Sequence, residues 1–211
     1  NLQNLSNLFK NCFFIFVYDN CKDNTEEILK SFQEKYKKNF IIKKIENTSK
    51  YRTIRIAKAR NTCLNIVYNE LKNIDYHIVI DSDNINIEPW NLDNIKKYIN
   101  NNDWDCLSFN RKIYYDIWAL LFDDYYHHYW GYKNKVKFPE LFENKKSQWS
   151  YMMVCRPVVN NMKIDIKNKI DNLKDGELLK CYSAFNGFAI YRTSKFKDIY
   201  YDGTYTNFKK L

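Results

Sequence analysis

Two aspartates one residue apart, Asp81 and Asp83, close the stretch YHIVIDSDN. Carboxylates are hard oxygen donors, and alternation along an extended segment sends both to the same side with Ser82 turned away. That arrangement suits one Mg2+ or Mn2+ ion whose remaining positions stay open to water and a diphosphate. Two other sites built on a D-x-D string do not fit. A calcium-binding EF-hand loop begun at Asp81 needs Gly at its sixth position and a carboxylate at its twelfth, where Asn86 and Leu92 stand. A phosphatase of the haloacid dehalogenase type expects Thr or Val after the second aspartate, close to the first strand. Here Asn84 follows, and the strand is the third. Taken alone, the string is more often an acidic turn facing water than a metal site.

A second cluster, RTIRIAKARN, precedes it and gathers Arg52, Arg55, Lys58 and Arg60 at the start of a helix. Helix N-termini attract anions, and guanidinium forks match phosphate geometry, so the cluster reads as a site for phosphate or for a nucleotide base and ribose. A solvated helix face is the alternative.

The elements that must position these groups are legible from patterning. CFFIFVYDN is an apolar, aromatic and β-branched run that predicts a buried strand ending near Tyr18. Asp23, Asn24 and Thr25 before Glu26 and Glu27 predict a helix start, with Ile28, Leu29 and Phe32 on its apolar face. FIIKKI predicts a second strand, and a longer helix begins near Arg55 with Ile56, Ala59, Cys63 and Ile66 on one face. YHIVI is the third strand. This βαβαβ order predicts an α/β fold with a mostly parallel central sheet flanked by helices. EPWNLDNIKKYINN predicts a helix started by Pro89, and DCLSFN a fourth strand. From Arg111 to Asp175 the pattern loosens. LLKCYSAFNGFAIYRTSKF then predicts a strand, a hairpin turn at Asn186-Gly187, a second strand and a helix opening near Thr193.

Composition limits the class. With 45% hydrophobic residues, 18% aromatics, four Gly and three Pro in 211 residues, the chain is globular rather than disordered, collagen-like or a string of linkers. One domain over residues 1–211 is expected, with a nucleotide-binding part at about 10–110 and a sugar and acceptor part at about 111–211. The absent initiator Met and the NFKKL ending are consistent with a fragment of a longer chain with further domains. Apolar runs such as FFIFV are too short to span a bilayer, and no signal peptide is recognisable, so a cytoplasmic protein is expected. The six cysteines, none in C-x-x-C spacing, read as buried free thiols in a reducing compartment. The net charge of +9 is spread over scattered lysines that alternate with acids, which predicts a solvated surface and no nucleic-acid partner.

In order along the chain, VYDNCKDNT, RTIRIAKARN and YHIVIDSDN resemble the nucleotide-binding half of GT-A-fold glycosyltransferases, a Rossmann-like α/β fold. YYDIWAL and FNGFAIYRTSKF narrow the resemblance to the capsule-associated mannosyltransferase-like group, especially the capsid glycosyltransferases of large DNA viruses such as chlorella viruses. It covers Phe13 to Phe196, with a poor match between Tyr125 and Asp175.

The resemblance implies a metal-dependent hexosyltransferase that moves a sugar from a nucleotide diphosphate, UDP-sugar before GDP-sugar, to a glycan or glycoprotein acceptor such as a viral capsid protein. Retention of configuration is favoured on the same grounds. Asp83 is then the first metal ligand, with Asp81 bridging to ribose or to a metal-bound water. Tyr18, Asp19 and Asn20 line the base pocket, and Arg52, Arg55 and Arg60 hold base, ribose or phosphate. Asp116 is a catalytic candidate and, with Trp118, Asn186 and Gly187, a sugar or acceptor contact. Inversion would need a carboxylate base, for which Asp116, Asp123, Asp124 and Asp198 are candidates. Two departures stand out. Leu121 occupies a position where the group carries Arg, and the only histidines are His77, His127 and His128, which leaves a third protein ligand for the metal unassigned. The competing expectation is a non-catalytic carbohydrate- or nucleic-acid-binding module, for which aromatic content and positive charge would also serve.

Overall fold

A computed structural model describes residues 1–36, 39–46, 49–82, 84–110, 116, 119–121, 160 and 163–204. Asp83, Trp118, His127 and His128 lie outside the described residues. The chain divides into two compact units, Asn1–His77 with Thr193–Leu211, and Ile78–Arg192.

In the first unit a short helix, α1 (Leu2–Ser6), precedes β1 (Phe14–Tyr18). Strand β1 pairs in parallel with β2 (Phe40–Lys44), from Phe14 opposite Phe40 to Tyr18 opposite Lys44. Helix α2 (Thr25–Tyr36) forms the crossover between them. Its start is where the acidic cluster predicts it: the Asp23 carboxylate accepts from the Thr25 N–H at 3.1 Å and from the Thr25 hydroxyl at 2.6 Å. The predicted apolar face is only partly used. Leu29 is buried, whereas Ile28 and Phe32 stay 45% and 43% exposed. Phe32 and Tyr36 instead stack on Phe40, which also stacks on Phe16 at 5.0 Å between centroids.

Helix α3 (Arg52–Asn65) starts one turn before the predicted Arg55, because the extended Tyr51 supplies the carbonyl that accepts the Arg55 N–H at 3.1 Å. Ala57 and Leu64 are its buried positions, and Ile56, Ala59 and Cys63 are half-buried beside them. A π-helical turn, Ile66–Glu70, continues the helix and buries Ile66 and Val67.

Residues 196–204 form a strap along this helix, which no periodicity announced. The Tyr68 hydroxyl donates to the Phe196 carbonyl at 2.7 Å, and the Tyr200 hydroxyl to the Asn65 side chain at 3.0 Å. Asn61 binds the Tyr201 main chain twice, donating to its carbonyl at 2.9 Å and accepting from its N–H at 2.7 Å. The Thr53 hydroxyl donates to the Gly203 carbonyl at 3.0 Å.

The second unit holds β4 (Cys106–Ser108) and β7 (Phe188–Arg192), which pair antiparallel with Leu107 opposite Ile190. Strand β7 is central, between β4 and β3 (Tyr76–Ile80), and its Ala189 and Ile190 are fully buried. Strands β5 (Leu120–Leu121) and β6 (Ser183–Ala184) form a separate antiparallel pair. The sheets are therefore small and partly antiparallel, where the sequence predicts a mostly parallel one. Asn186-Gly187 is not a hairpin turn, because β6 and β7 on its two sides belong to different sheets.

Pro89 does not start the next helix. Helix α4 (Leu92–Ile99) begins after Asn91, whose side chain accepts from the Asn94 N–H at 3.1 Å and provides the cap that a proline lacks. Among the described residues no helix is long and apolar enough to cross a membrane. The five described cysteines are free, with Cys21 and Cys106 exposed rather than buried as predicted. Burial pushes the Cys63 thiol up to about 11, so it stays protonated at neutral pH.

His77, in the first unit, is 8% exposed and lies 3.3 Å from the Thr193 hydroxyl, with the rings of Tyr68 and Phe196 set edge-on to it. Burial holds its imidazole down to about 4. An unfolded histidine titrates near 6.5, so the unfolded chain takes up a proton that the folded chain refuses as the pH falls from there. The contribution is complete above about pH 6.5 and shrinks towards pH 4, by up to about 3 kcal/mol. Urea unfolding should therefore show the stability difference between wild type and His77→Phe narrowing from pH 7 to pH 4.5. A difference independent of pH would contradict a neutral, buried imidazole.

Candidate functional site

Strand β1 delivers Tyr18, Asp19 and Asn20 to its C-terminal end, where helix α2 begins. Tyr18 is half-buried and its hydroxyl donates to the Glu26 carboxylate in the first turn of α2. Burial and this bond raise the phenol above its ordinary value. Glu26 also pairs with Lys30 at 2.8 Å and Lys44 at 3.0 Å, and these two ammonium groups, with the Tyr18 hydroxyl, hold its carboxyl down to about 2. Lys44 lies 5.7 Å from the centre of the Tyr18 ring. The aromatic ring at the strand end is thus set in a small charged network in which Glu26 is ionised at neutral pH. Asp19 turns the chain, its carbonyl accepting from the Cys21 N–H at 2.8 Å, and Asn20 is exposed.

The arginines predicted to act together are arranged unequally. Arg52 and Arg55 are exposed on the first turn of α3, three residues apart and so on neighbouring positions of its surface. Arg60 is farther along the helix, with its guanidinium 5.2 Å from the centre of the Tyr201 ring. Asn61, next to it, holds the Tyr201 main chain. Within RTIRIAKARN, then, the first two arginines are at the anion-attracting end and Arg60-Asn61 secures the strap.

The second unit carries the acidic residues. Asp81 is half-buried directly after β3, and its N–H donates to the Gly187 carbonyl at 2.9 Å. The following residues Asn84–Asn86 form a single 3-10 turn. From it the Asn86 amide donates to the Asp81 carbonyl at 2.7 Å and to the Gly187 carbonyl at 2.9 Å. Gly187 has φ +82, a left-handed conformation that a side chain would strain by about 1–2 kcal/mol, which accounts for glycine there.

Its neighbour Asn186 is 1% exposed. The Asn186 side chain donates to the Phe109 carbonyl at 3.3 Å, just beyond β4, and its Oδ1 accepts from the Asp116 N–H at 3.3 Å. Its amide is turned inward to the main chain, so it acts on the site by holding other residues. One dipeptide therefore binds the main chain of both Asp81, through Gly187, and Asp116, through Asn186. The next residue, Phe188, packs against Trp90 at 4.9 Å and Phe109 at 5.7 Å between centroids.

Among the described residues no group of three or more His, Cys, Asp or Glu could hold a metal ion. Asp81, directly after β3, is the described member of the D-x-D pair. A carboxylate there fits Mg2+ or Mn2+, which bind protein through one or two carboxylates and leave positions for phosphate oxygens. Sequence reasoning singled out Asp81, Asp116, Asn186 and Gly187, which the structure links through hydrogen bonds. It missed Asn86, Asn61, Tyr201 and Gly203. The scarcity of glycine, four in the chain, is the one signal that could have drawn attention to Gly203.

No curated protein and no solved structure gives a significant match to the chain. The family description "Glycosyl transferase family 2" matches residues 2–162, well over half of the sequence and including β1, α3 and the D-x-D segment. That match implies the GT-A fold and favours sugar transfer over a non-catalytic binding module. A tyrosine-tipped first strand, an arginine-marked helix and a strand ending in D-x-D follow one another within the matched residues, and the chain belongs to glycosyl transferase family 2, enzymes that transfer a sugar from a nucleotide-sugar donor to an acceptor.

Proposed function

We propose that the chain transfers a hexose from a UDP-sugar, with a GDP-sugar as second choice, to a glycan or glycoprotein acceptor. The observation that carries this reading is the Asn186-Gly187 dipeptide, which hydrogen-bonds the main chain of both Asp81 and Asp116. The main chains of a residue suited to the diphosphate side and of one suited to the sugar or acceptor are thereby held by one dipeptide.

In this reading Asp81 and Asp83 hold Mn2+ or Mg2+, with Asp83 the main ligand. The bound ion supplies Lewis acidity and a template for the leaving diphosphate. Tyr18, Asp19 and Asn20 meet the base, and Arg52 and Arg55 the base, ribose or phosphate, with Arg60 contributing through the strap. Asp116 and Trp118 meet the sugar and acceptor. The acceptor oxygen attacks the anomeric carbon, the bond from that carbon to the diphosphate oxygen breaks, and UDP departs with the bonding pair.

In an inverting transfer the acceptor proton passes to a carboxylate, for which Asp116, Asp123, Asp124 and Asp198 are the candidates. The narrower resemblance of YYDIWAL and FNGFAIYRTSKF favours retention, and the same motifs support a place among capsid glycosyltransferases of large DNA viruses. A single catalytic domain in a cytoplasmic protein completes the reading. Screening nucleotide sugars for metal-dependent hydrolysis and transfer tests it, with the product anomer read by NMR. UDP-hexose turnover in Mn2+ and none in EDTA is the expected result. Turnover of no nucleotide sugar under any metal condition would overturn it.

A further inference from the structure

The first residue of D-x-D is held by a residue outside the motif. The Asn86 side chain reaches back over the 3-10 turn and donates from one nitrogen to two carbonyls, Asp81 at 2.7 Å and Gly187 at 2.9 Å. The Asp81 N–H donates to that same Gly187 carbonyl at 2.9 Å. Three groups thus meet at one oxygen: the residue that opens the motif, the glycine opposite, and an asparagine five residues on. The Asp81 main chain is thus held at both its N–H and its carbonyl, and a residue held at both groups has few ways to place its carboxylate.

We infer that Asn86 is a positioning residue for the metal-binding carboxylates, acting through the main chain of Asp81. An amide side chain suits the task for a reason of charge. A Lys or Arg at this place would neutralise the carboxylates, and an Asp would set a further negative charge against two carbonyl oxygens. A neutral donor holds the Asp81 main chain without adding charge beside the carboxylate. Second-layer partners of this kind commonly change metal affinity by roughly 10–100-fold when removed.

The inference rests on the reading of Asp81 and Asp83 as metal ligands, so the test separates the two. UDP binding is measured by calorimetry across a Mn2+ titration and again in EDTA, for the wild type, Asn86→Ala, Asn86→Asp and Asp83→Ala, with a thermal melt of each in EDTA. The expected result is that Asn86→Ala raises the Mn2+ concentration at half-saturation by about tenfold or more. Its UDP affinity in EDTA should stay close to wild type, while its melting temperature falls by a few degrees with the loss of two part-buried hydrogen bonds. Asn86→Asp, of the same shape without the donor, should raise the half-saturating Mn2+ concentration as well while melting lower than wild type, because its charge faces two carbonyl oxygens, and its titration on folded protein keeps the test open if the alanine variant folds poorly. If Asp83→Ala abolishes the Mn2+ dependence while both Asn86 variants keep the wild-type titration, the positioning role is wrong and the site reading stands. Equal weakening of UDP binding with Mn2+ and with EDTA would mark Asn86 as merely structural and overturn the inference. Should Asp83→Ala retain wild-type Mn2+ dependence, the site reading fails and the role of Asn86 fails with it.

Discussion

Replacing Asn186 by leucine is expected to lower stability by about 3 kcal/mol and kcat by about 100-fold. Leucine keeps most of the volume but removes a buried acceptor and a buried donor. The Asp116 N–H and the Phe109 carbonyl then lose the partners they have at 3.3 Å, and an unsatisfied buried polar group costs about 1–3 kcal/mol. The catalytic loss follows from position. Asp116 is held by its main chain to this amide, and a shift of about 1 Å in a reacting group is enough for a rate loss of that size. Urea unfolding and steady-state kinetics on the same variant check both numbers, with KM for the donor expected to change less than kcat. A folded Asn186→Leu variant with wild-type kcat would show that Asp116 does not depend on this bond.

The second large effect belongs to Gly203. A β-carbon there would lie 2.5 Å from the Ile54 Cα, 2.7 Å from the Thr53 carbonyl oxygen and 2.8 Å from the Ile54 nitrogen, all of them main-chain atoms of the first turn of α3. Backbone in a helix cannot retreat as a side-chain tip can, so the strap must lift. Gly203→Val is therefore expected to cost about 3 kcal/mol, the upper range for forcing atoms into a packed contact. Lifting the strap would weaken the Thr53 bond to Gly203 and loosen the Asn61 clamp on Tyr201. Because the same turn carries Arg52 and Arg55, UDP binding should weaken along with stability. Chemical denaturation and a UDP titration measure the two, and a variant as stable as wild type would mean that the strap does not press on α3 in solution.

Much of the fold was legible from local pattern. The apolar runs at Phe14–Tyr18, Phe40–Lys44 and Tyr76–Ile80 are strands because β-branched and aromatic residues crowd them, and Asp23 marks the start of α2 by its own hydrogen bonds. What local pattern does not carry is which strands meet. Asn186-Gly187 has the composition of a hairpin turn, yet β6 finds its partner in β5 and β7 in β4, strands far back along the chain, and β7 buries Ala189 and Ile190 there. Asn91 prevailed over Pro89 as a helix start because a capping side chain satisfies an N–H directly.

The candidate site divides in the same way. Asp81 and Asp116 could be proposed from residue type and from the order of motifs. The roles of Asn86, Asn61 and Gly203 could not. Each acts by a side chain or a bare Cα meeting the main chain of a residue that sequence gives no reason to pair with it, more than a hundred positions away in all three cases. Asn186 was identified from its motif, but its action through backbone groups rather than on a sugar depends on its burial, a property of the packed unit.

The central claim is that Asp81 and Asp83 hold a divalent ion for a nucleotide diphosphate. The most direct measurement is thermal unfolding with UDP, once in Mn2+ and once in EDTA, for wild type and Asp83→Ala. Ligand that binds only the folded chain raises the melting temperature, so UDP should raise it clearly in Mn2+ and much less in EDTA. Asp83→Ala should lose the metal-dependent part of that shift and keep the unliganded melting temperature. The absence of any shift with UDP or GDP under every metal condition would contradict nucleotide-sugar binding, and an undiminished shift in Asp83→Ala would place the metal elsewhere.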